Sequence, residues 1–135
     1  MKIDLNKYKE FVDAVTSDES KSNDAFTHNW ASLNNQRMAD MPRLLTASCG
    51  MGAEAGEFTE VVKKILFQGK PYTEDNVFHM KRELGDICWY LAQAFMALDT
   101  DFDEILDMNI EKLSARYPAG TFDSYYSENR VEGDV

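Results

Sequence analysis

Two acidic pairs, Glu54-x-x-Glu57 and Glu83-x-x-Asp86, stand inside strongly helical segments, and together they restrict what this chain can fold into. A spacing of three places both carboxylates of a pair on one helix face, about one turn apart. If the two helices lie side by side, four carboxylates converge on one small volume. At 4 Å, two like charges repel by roughly 1 kcal/mol in water and roughly 4 kcal/mol at an effective dielectric of 20. Such a cluster either faces solvent or holds a hard divalent cation, with magnesium the natural candidate. Small residues, Gly52, Ala53, Ala55 and Gly56, leave room beside the first pair. Asp86 is followed by an almost continuous apolar run from Ile87, which leaves it few routes to bulk water, and aspartate is a poor choice in mid-helix without a task.

The rest of the chain reads as helices and connections. Ile3 to Val15 carries apolar residues at mostly helical spacing, and the polar run Thr16 to Asp24 reads as an exposed loop. A short helix is expected over Phe26 to Met38. Pro42 suits the first turn of a long helix whose apolar steps are Leu44, Ser48, Met51, Ala55, Phe58, Val62 and Ile65, with Gly69 as its cap and Pro71 barring continuation. Gly50, Gly52 and Gly56 inside it suggest that another helix approaches its backbone closely. Thr73 caps the next helix, whose core face is Val77, Met80, Leu84, Ile87, Leu91, Ala94 and Leu98. A turn at Asp99 to Asp101 leads to a last helix from Phe102 to about Tyr117. No alternating strand pattern occurs, so the expected class is all-α, a bundle of about four to five helices. Residues 1–135 form one expected domain, with a motif-bearing core over about 43–122 and a flexible acidic tail over about 123–135.

A net charge of −10 without a basic stripe excludes nucleic acid as partner, although a nucleotide remains possible where metal neutralises the site. Cys49 and Cys88, the two cysteines, read as core thiols in a reducing compartment. Met1 to Leu5 resembles no secretory leader and no run approaches a membrane span, so the expected location is cytoplasmic, or the host cytoplasm if the chain is viral. His28 and His79 have no second histidine or cysteine at ligand spacing and read as surface or core residues. Neither a phosphate-binding Gly-rich loop nor a calcium-binding loop is present.

The segment Gly52 to Glu60, followed by Glu83-Leu84-Gly85-Asp86-Ile87-Cys88-Trp89-Tyr90, resembles the MazG-type all-α nucleoside triphosphate pyrophosphohydrolases, which carry E-x-x-E, a spacer and E-x-x-D. Residues 58 to 82 form the spacer here, 25 in all. Asn109-Ile110-Glu111-Lys112-Leu113-Ser114-Ala115-Arg116-Tyr117-Pro118 is similar to the N-x-x-K-L-x-x-R-Y-P that closes many single-domain members. The likeness covers roughly Arg43 to Phe122, and Lys63 to Lys70 and His79 to Arg82 look most like bacteriophage versions.

The resemblance implies hydrolysis of a nucleoside triphosphate between its α- and β-phosphates, giving monophosphate and pyrophosphate. It implies Glu54, Glu57, Glu83 and Asp86 as catalytic ligands of Mg2+, which Mn2+ can replace, with Glu54 also orienting or deprotonating the attacking water. Lys112 and Arg116, four apart on one helix face, and Asn109 a turn earlier are the phosphate-binding candidates; a solvated basic edge is the plainer alternative. Lys63 is a weaker cationic candidate, as are Lys64, Lys81 and Arg82, and Glu60 is an outer or surface acid. Tyr90, one turn after Asp86, is either a wall for the base or a core tyrosine. Trp30 is either a second wall or packing. The implied substrate is a deoxynucleotide and the implied assembly a homodimer or a dimer of dimers, with no membrane partner. Competing readings are an all-α dUTPase or dCTPase, a phosphoribosyl-ATP pyrophosphatase, or a non-catalytic helical oligomer serving regulation or interaction.

Overall fold

The structure, a computed structural model, describes residues 4–36 and 40–129. Among these residues there are seven helices and no strand, which bears out the all-α class. They fall into two compact units, residues 1–41 and 42–135, divided close to the start of the motif-bearing core.

The N-terminal unit holds α1 (Leu5–Ala14), α2 (Asp18–Lys21) and α3 (Asn23–Asn34). Asp4 caps α1 by accepting from the Asn6 and Lys7 amides, and Ser22 caps α3. The stretch expected as loop, Thr16 to Asp24, contains α2 and the start of α3. Acidic Asp18 and Glu19 in the first turn and Lys21 in the last favour that short helix, and Lys21 also donates to the Asp13 carbonyl at 2.7 Å. Met38 and Ile3, at the ends of two expected helices, lie outside the described residues.

The second unit holds α4 (Met41–Phe67), α5 (Glu74–Leu98), α6 (Phe102–Arg116) and α7 (Ser124–Glu128). Gly69 ends α4 as expected: at φ 70° it turns the chain left-handed, and the Lys70 amide reaches back to the Lys64 carbonyl at 3.1 Å. Thr73 caps α5 through the Asn76 amide, with Glu74 and Asp75 in its first turn. Asp99, at φ 54°, takes the left-handed position after α5, and Asp101 caps α6 two residues later. Within the stretch expected as a loose tail, Ser124–Glu128 form the short helix α7, capped by Asp123; residues 130–135 lie outside the described residues.

Helices α4 and α5 run antiparallel, which follows from three contacts. Arg43 donates to Gln93 at 3.0 Å, Tyr90 lies against Gly50, and Glu54 meets Glu83 and Asp86. The residues facing across this seam are Ala47, Gly50, Glu54, Glu57 and Val61 on α4, and His79, Glu83, Asp86, Tyr90, Gln93 and Ala97 on α5. Both runs step alternately by three and four, the spacing of closely aligned helices.

The apolar faces read from the sequence are half-buried at Leu44, Met51, Phe58, Val62 and Ile65 on α4 and at Val77, Met80, Ile87, Leu91 and Ala94 on α5, and the seam corrects them at Ser48, Ala55, Leu84 and Leu98. On α4, Ala47, Gly50 and Val61 are buried and Glu54 half-buried, whereas Ser48 and Ala55 are exposed. On α5, Glu83 and Ala97 are buried, while Leu84 is 47% exposed and Leu98 is also exposed. The cause is the approach of Tyr90 to Gly50. Glu83 and Ala97 lie seven residues either side of Tyr90 and must face the same way, while Leu84 and Leu98 are each turned about 100° off. Cys49 and Cys88 are likewise free and exposed rather than core thiols, because neither falls on the seam.

Of the glycines expected to admit a neighbouring helix, Gly50 does so within this chain, and Gly52 and Gly56 face open space. A β-carbon on Gly50 would lie 2.1 Å from the Tyr90 ring. Gly50→Ala is therefore expected to destabilise the fold by about 1–3 kcal/mol through overpacking. Gly52→Ala, which meets nothing, should stabilise it by up to about 1 kcal/mol through helix propensity. Urea unfolding of the two variants checks the opposite signs.

Candidate metal centre

The middle of the α4–α5 seam carries charge where its ends carry Ala47, Val61 and Ala97. Ligand atoms of Glu54, Glu83 and Asp86 all lie within 4.8 Å of one another, and so do those of Glu57, His79 and Glu83. Glu83 belongs to both groups. Its side chain is only 8% exposed, and its Oε1 accepts from His79 Nε2 at 2.8 Å. Among the described residues none of the four acids forms an ion pair with lysine or arginine. A buried carboxylate in that position is costly, since removal from water carries a penalty of several kcal/mol that only a partner charge offsets.

The strain registers on Glu54. Desolvation first, and then the charges of Glu57, Asp86 and Glu83, push its carboxyl above the usual glutamate value of 4.5. The donors fit a hard divalent cation: clustered oxygen ligands, none of them paired with lysine or arginine among the described residues. Residues able to hold such an ion are therefore Glu54, Glu57, Glu83 and Asp86, the four singled out in the sequence, joined by His79.

The other expected site residues are placed differently. Tyr90 continues the seam one turn beyond Asp86, half-buried, with its ring against Gly50 and edge-on to Trp89 at 4.9 Å between centroids. Asn109, Lys112 and Arg116 share a face of α6, and the Arg116 guanidinium lies 6.0 Å from the centre of the Tyr117 ring. Lys63 is exposed on α4 beside Glu60. Glu60 pairs with Lys64 at 3.0 Å, and that hydrogen bond, with the charges of Lys64 and Lys63, holds its carboxyl below the usual range. Trp30 belongs to the N-terminal unit, where it stacks on Phe26 at 5.9 Å. An open cleft of about 590 Å³ lies at the start of α5 between Tyr72, Phe78 and Lys81, and includes none of the four acids.

His79 is the residue that the sequence reading passed over. A search for a second histidine or cysteine could not find it, because its partner is a carboxylate. The available signal was its position four residues before Glu83, on the seam spacing itself.

An all-helical unit with a carboxylate cluster suited to a divalent cation defines a class of candidate metalloproteins, and comparison with known proteins narrows it. Residues 46–121, more than half of the chain, match the MazG nucleotide pyrophosphohydrolase domain. The chain belongs to that family, and the matched span contains both acidic pairs and the whole of α6. It is also 38% identical over 72 residues to the "Gene 37 protein" of Mycobacterium phage L5, an alignment covering 53% of this chain and 63% of that relative. No solved structure matches significantly.

The raised Glu54 carboxyl has a consequence for stability. A carboxyl that binds its proton more tightly when folded stabilises the fold below pH 4.5 and loses that contribution as pH rises through the folded value. In EDTA, the contribution of Glu54 to the melting temperature should therefore fall as pH rises above the usual glutamate range, against the opposite contribution of Glu60, whose carboxyl is held low. Glu54→Gln should flatten part of that fall, and melting curves of both proteins from pH 4 to 8 check it.

Proposed function

We propose that the chain hydrolyses nucleoside triphosphates between the α- and β-phosphates, releasing nucleoside monophosphate and pyrophosphate. The observation that carries this reading is the convergence of Glu54, Glu57, Glu83 and Asp86 on one seam in a chain of the MazG family. These four residues would hold magnesium, with manganese able to replace it. When bound, such a cation neutralises phosphate charge and makes a water more acidic. Glu54, whose proton affinity is raised by its surroundings, is suited to take the proton from the attacking water. Lys112, Arg116 and Asn109 present donors for phosphate oxygens along one face of α6, and Tyr90, with Lys63 as a lesser candidate, is assigned to the base and sugar side. We assign a deoxynucleoside triphosphate as substrate and the shaping of a nucleotide pool as the role, in keeping with the similarity to a phage protein.

The working form in this proposal is a homodimer or homotetramer. The seam uses charged, small and aromatic residues, and it leaves apolar side chains outside: Leu84 and Leu98 on α5, and Phe102, Leu106, Ile110 and Leu113 on α6. The α6 residues recur at helical spacing and form a continuous stripe of the kind that marks an interaction surface. A second copy of the chain is the occupant that also brings a second set of α6 donors. No helix among the described residues is long and apolar enough to cross a membrane, so these residues are not assigned to a span.

The test is pyrophosphate release from the eight common ribo- and deoxynucleoside triphosphates and dUTP, with magnesium or with EDTA. Turnover should require the metal and favour one or two deoxynucleotides. Glu57→Ala and Asp86→Ala should each lower turnover by more than about a hundredfold, beyond the loss typical of an outer-shell partner, while circular dichroism stays unchanged. Light scattering on the same samples should give a dimer or tetramer. A folded protein that turns over nothing would sink the catalytic reading, and a monomer would sink the assembly.

A further inference from the structure

We propose that His79 is an inner-sphere metal ligand: with Glu57 and Glu83 it forms a nitrogen-bearing site for a first-row transition-metal cation, Mn2+ being its spectroscopic probe, next to the all-carboxylate site of Glu54, Glu83 and Asp86 and sharing Glu83 with it. The proposal rests on the reading of the four acids as a cation centre and deepens it by giving the two halves of the seam different metal preferences.

Geometry carries it. Donors bound at about 2.1 Å to one ion stand about 3 Å apart when adjacent and about 4.2 Å apart when opposite. The ligand atoms of Glu57, His79 and Glu83 lie within 4.8 Å of one another, and His79 Nε2 is 2.8 Å from Glu83 Oε1, so small adjustments admit an ion among all three. The two side chains differ in a useful way. Glu83 is 92% buried and fixed, whereas His79 is 49% exposed at the rim, on the first half of α5, where a cation and its remaining waters can enter from solvent. A site with two carboxylates and an imidazole also differs in chemistry from its neighbour. Imidazole suits first-row transition metals, and the affinity order of such sites places manganese at the weak end and zinc well above it. Magnesium prefers oxygen and gives up its waters reluctantly. The carboxylate-only group is thus the magnesium side of the seam and the His79 group the transition-metal side, with Glu83 the buried carboxylate common to both.

The arrangement follows from the seam. Positions 79, 83 and 86 step by four and three along α5 and meet 57 and 54 on α4 in the reverse order, so His79 occupies the next seam position beyond Glu83. A histidine merely shielding Glu83 from solvent would satisfy the 2.8 Å contact, but it would not donate its nitrogen to a bound ion. That difference is measurable.

The experiment is electron spin echo spectroscopy on the full chain loaded with Mn2+, which reads nitrogen bound directly to the ion independently of turnover. Nitrogen-14 modulation is expected in the unaltered protein, retained in His28→Gln and lost in His79→Gln. His79→Gln should weaken Mn2+ binding by about tenfold or more, the lower end of what even loss of an outer partner costs a metal site. Mg2+ affinity by calorimetry should stay within about twofold. Bound Mn2+ without nitrogen modulation in the unaltered protein, or equal Mn2+ affinity in His79→Gln, would overturn the assignment of His79 and leave the carboxylate centre standing. Failure of a folded protein to bind either cation would overturn both.

Discussion

The interaction on which the rest of the second unit depends is the repulsion among carboxylates in the α4–α5 seam. A helix pair this close would ordinarily be held by leucines and isoleucines, yet its central positions are Glu54, Glu57, Glu83 and Asp86. Their mutual repulsion opposes folding, most of all at Glu83, whose side chain is buried. The ends of the seam compensate. Tyr90 lies across Gly50, Arg43 reaches Gln93, and Ala47, Val61 and Ala97 fill the remaining buried positions. The helices are clamped on either side of a charged gap whose occupant, in the function proposed, is a cation.

This division also explains the outer surface. Because the seam is occupied by charged and small residues, Leu84 and Leu98 of α5 lie off it and are exposed, and on α6 Leu106 and Ile110 are exposed as well. One face of the unit serves the centre and another is available to a second copy. Stability and catalysis are linked in that picture: what opposes folding inside the seam is offset by cation binding within it and by burial outside it.

Much of the fold is legible in the sequence because its boundaries are set by strong local chemistry. Pro42, Gly69, Thr73 and Asp101 mark helix ends through fixed φ, a left-handed turn and side-chain caps, and α4, α5 and the start of α6 are bounded close to these residues. The spacing of the four acids allows convergence if the two helices pack side by side but is equally that of a solvated face, and the resemblance to the MazG family is what singles them out. The buried faces are less legible. Hydrophobic periodicity selects Leu84 and Leu98 along with the half-buried Val77, Met80, Ile87, Leu91 and Ala94, whereas the close approach at Gly50 fixes the rotation through Tyr90 and turns Glu83 and Ala97, not Leu84 and Leu98, to the seam. Short polar helices such as α2 are hard to read for a similar reason, since capping and end charges hold them without an apolar stripe. His79 escaped notice because the groups that meet it are carboxylates on α4 and α5 rather than another histidine.

The most direct test of the account is the position of bond cleavage during turnover in water enriched in oxygen-18. The triphosphate panel would be incubated with the protein and magnesium, and the products resolved by mass spectrometry. The account predicts magnesium-dependent incorporation of one labelled oxygen into the nucleoside monophosphate and none into pyrophosphate, the signature of water attacking the α-phosphorus. Label in pyrophosphate, or no monophosphate from a folded, magnesium-loaded protein, would contradict it.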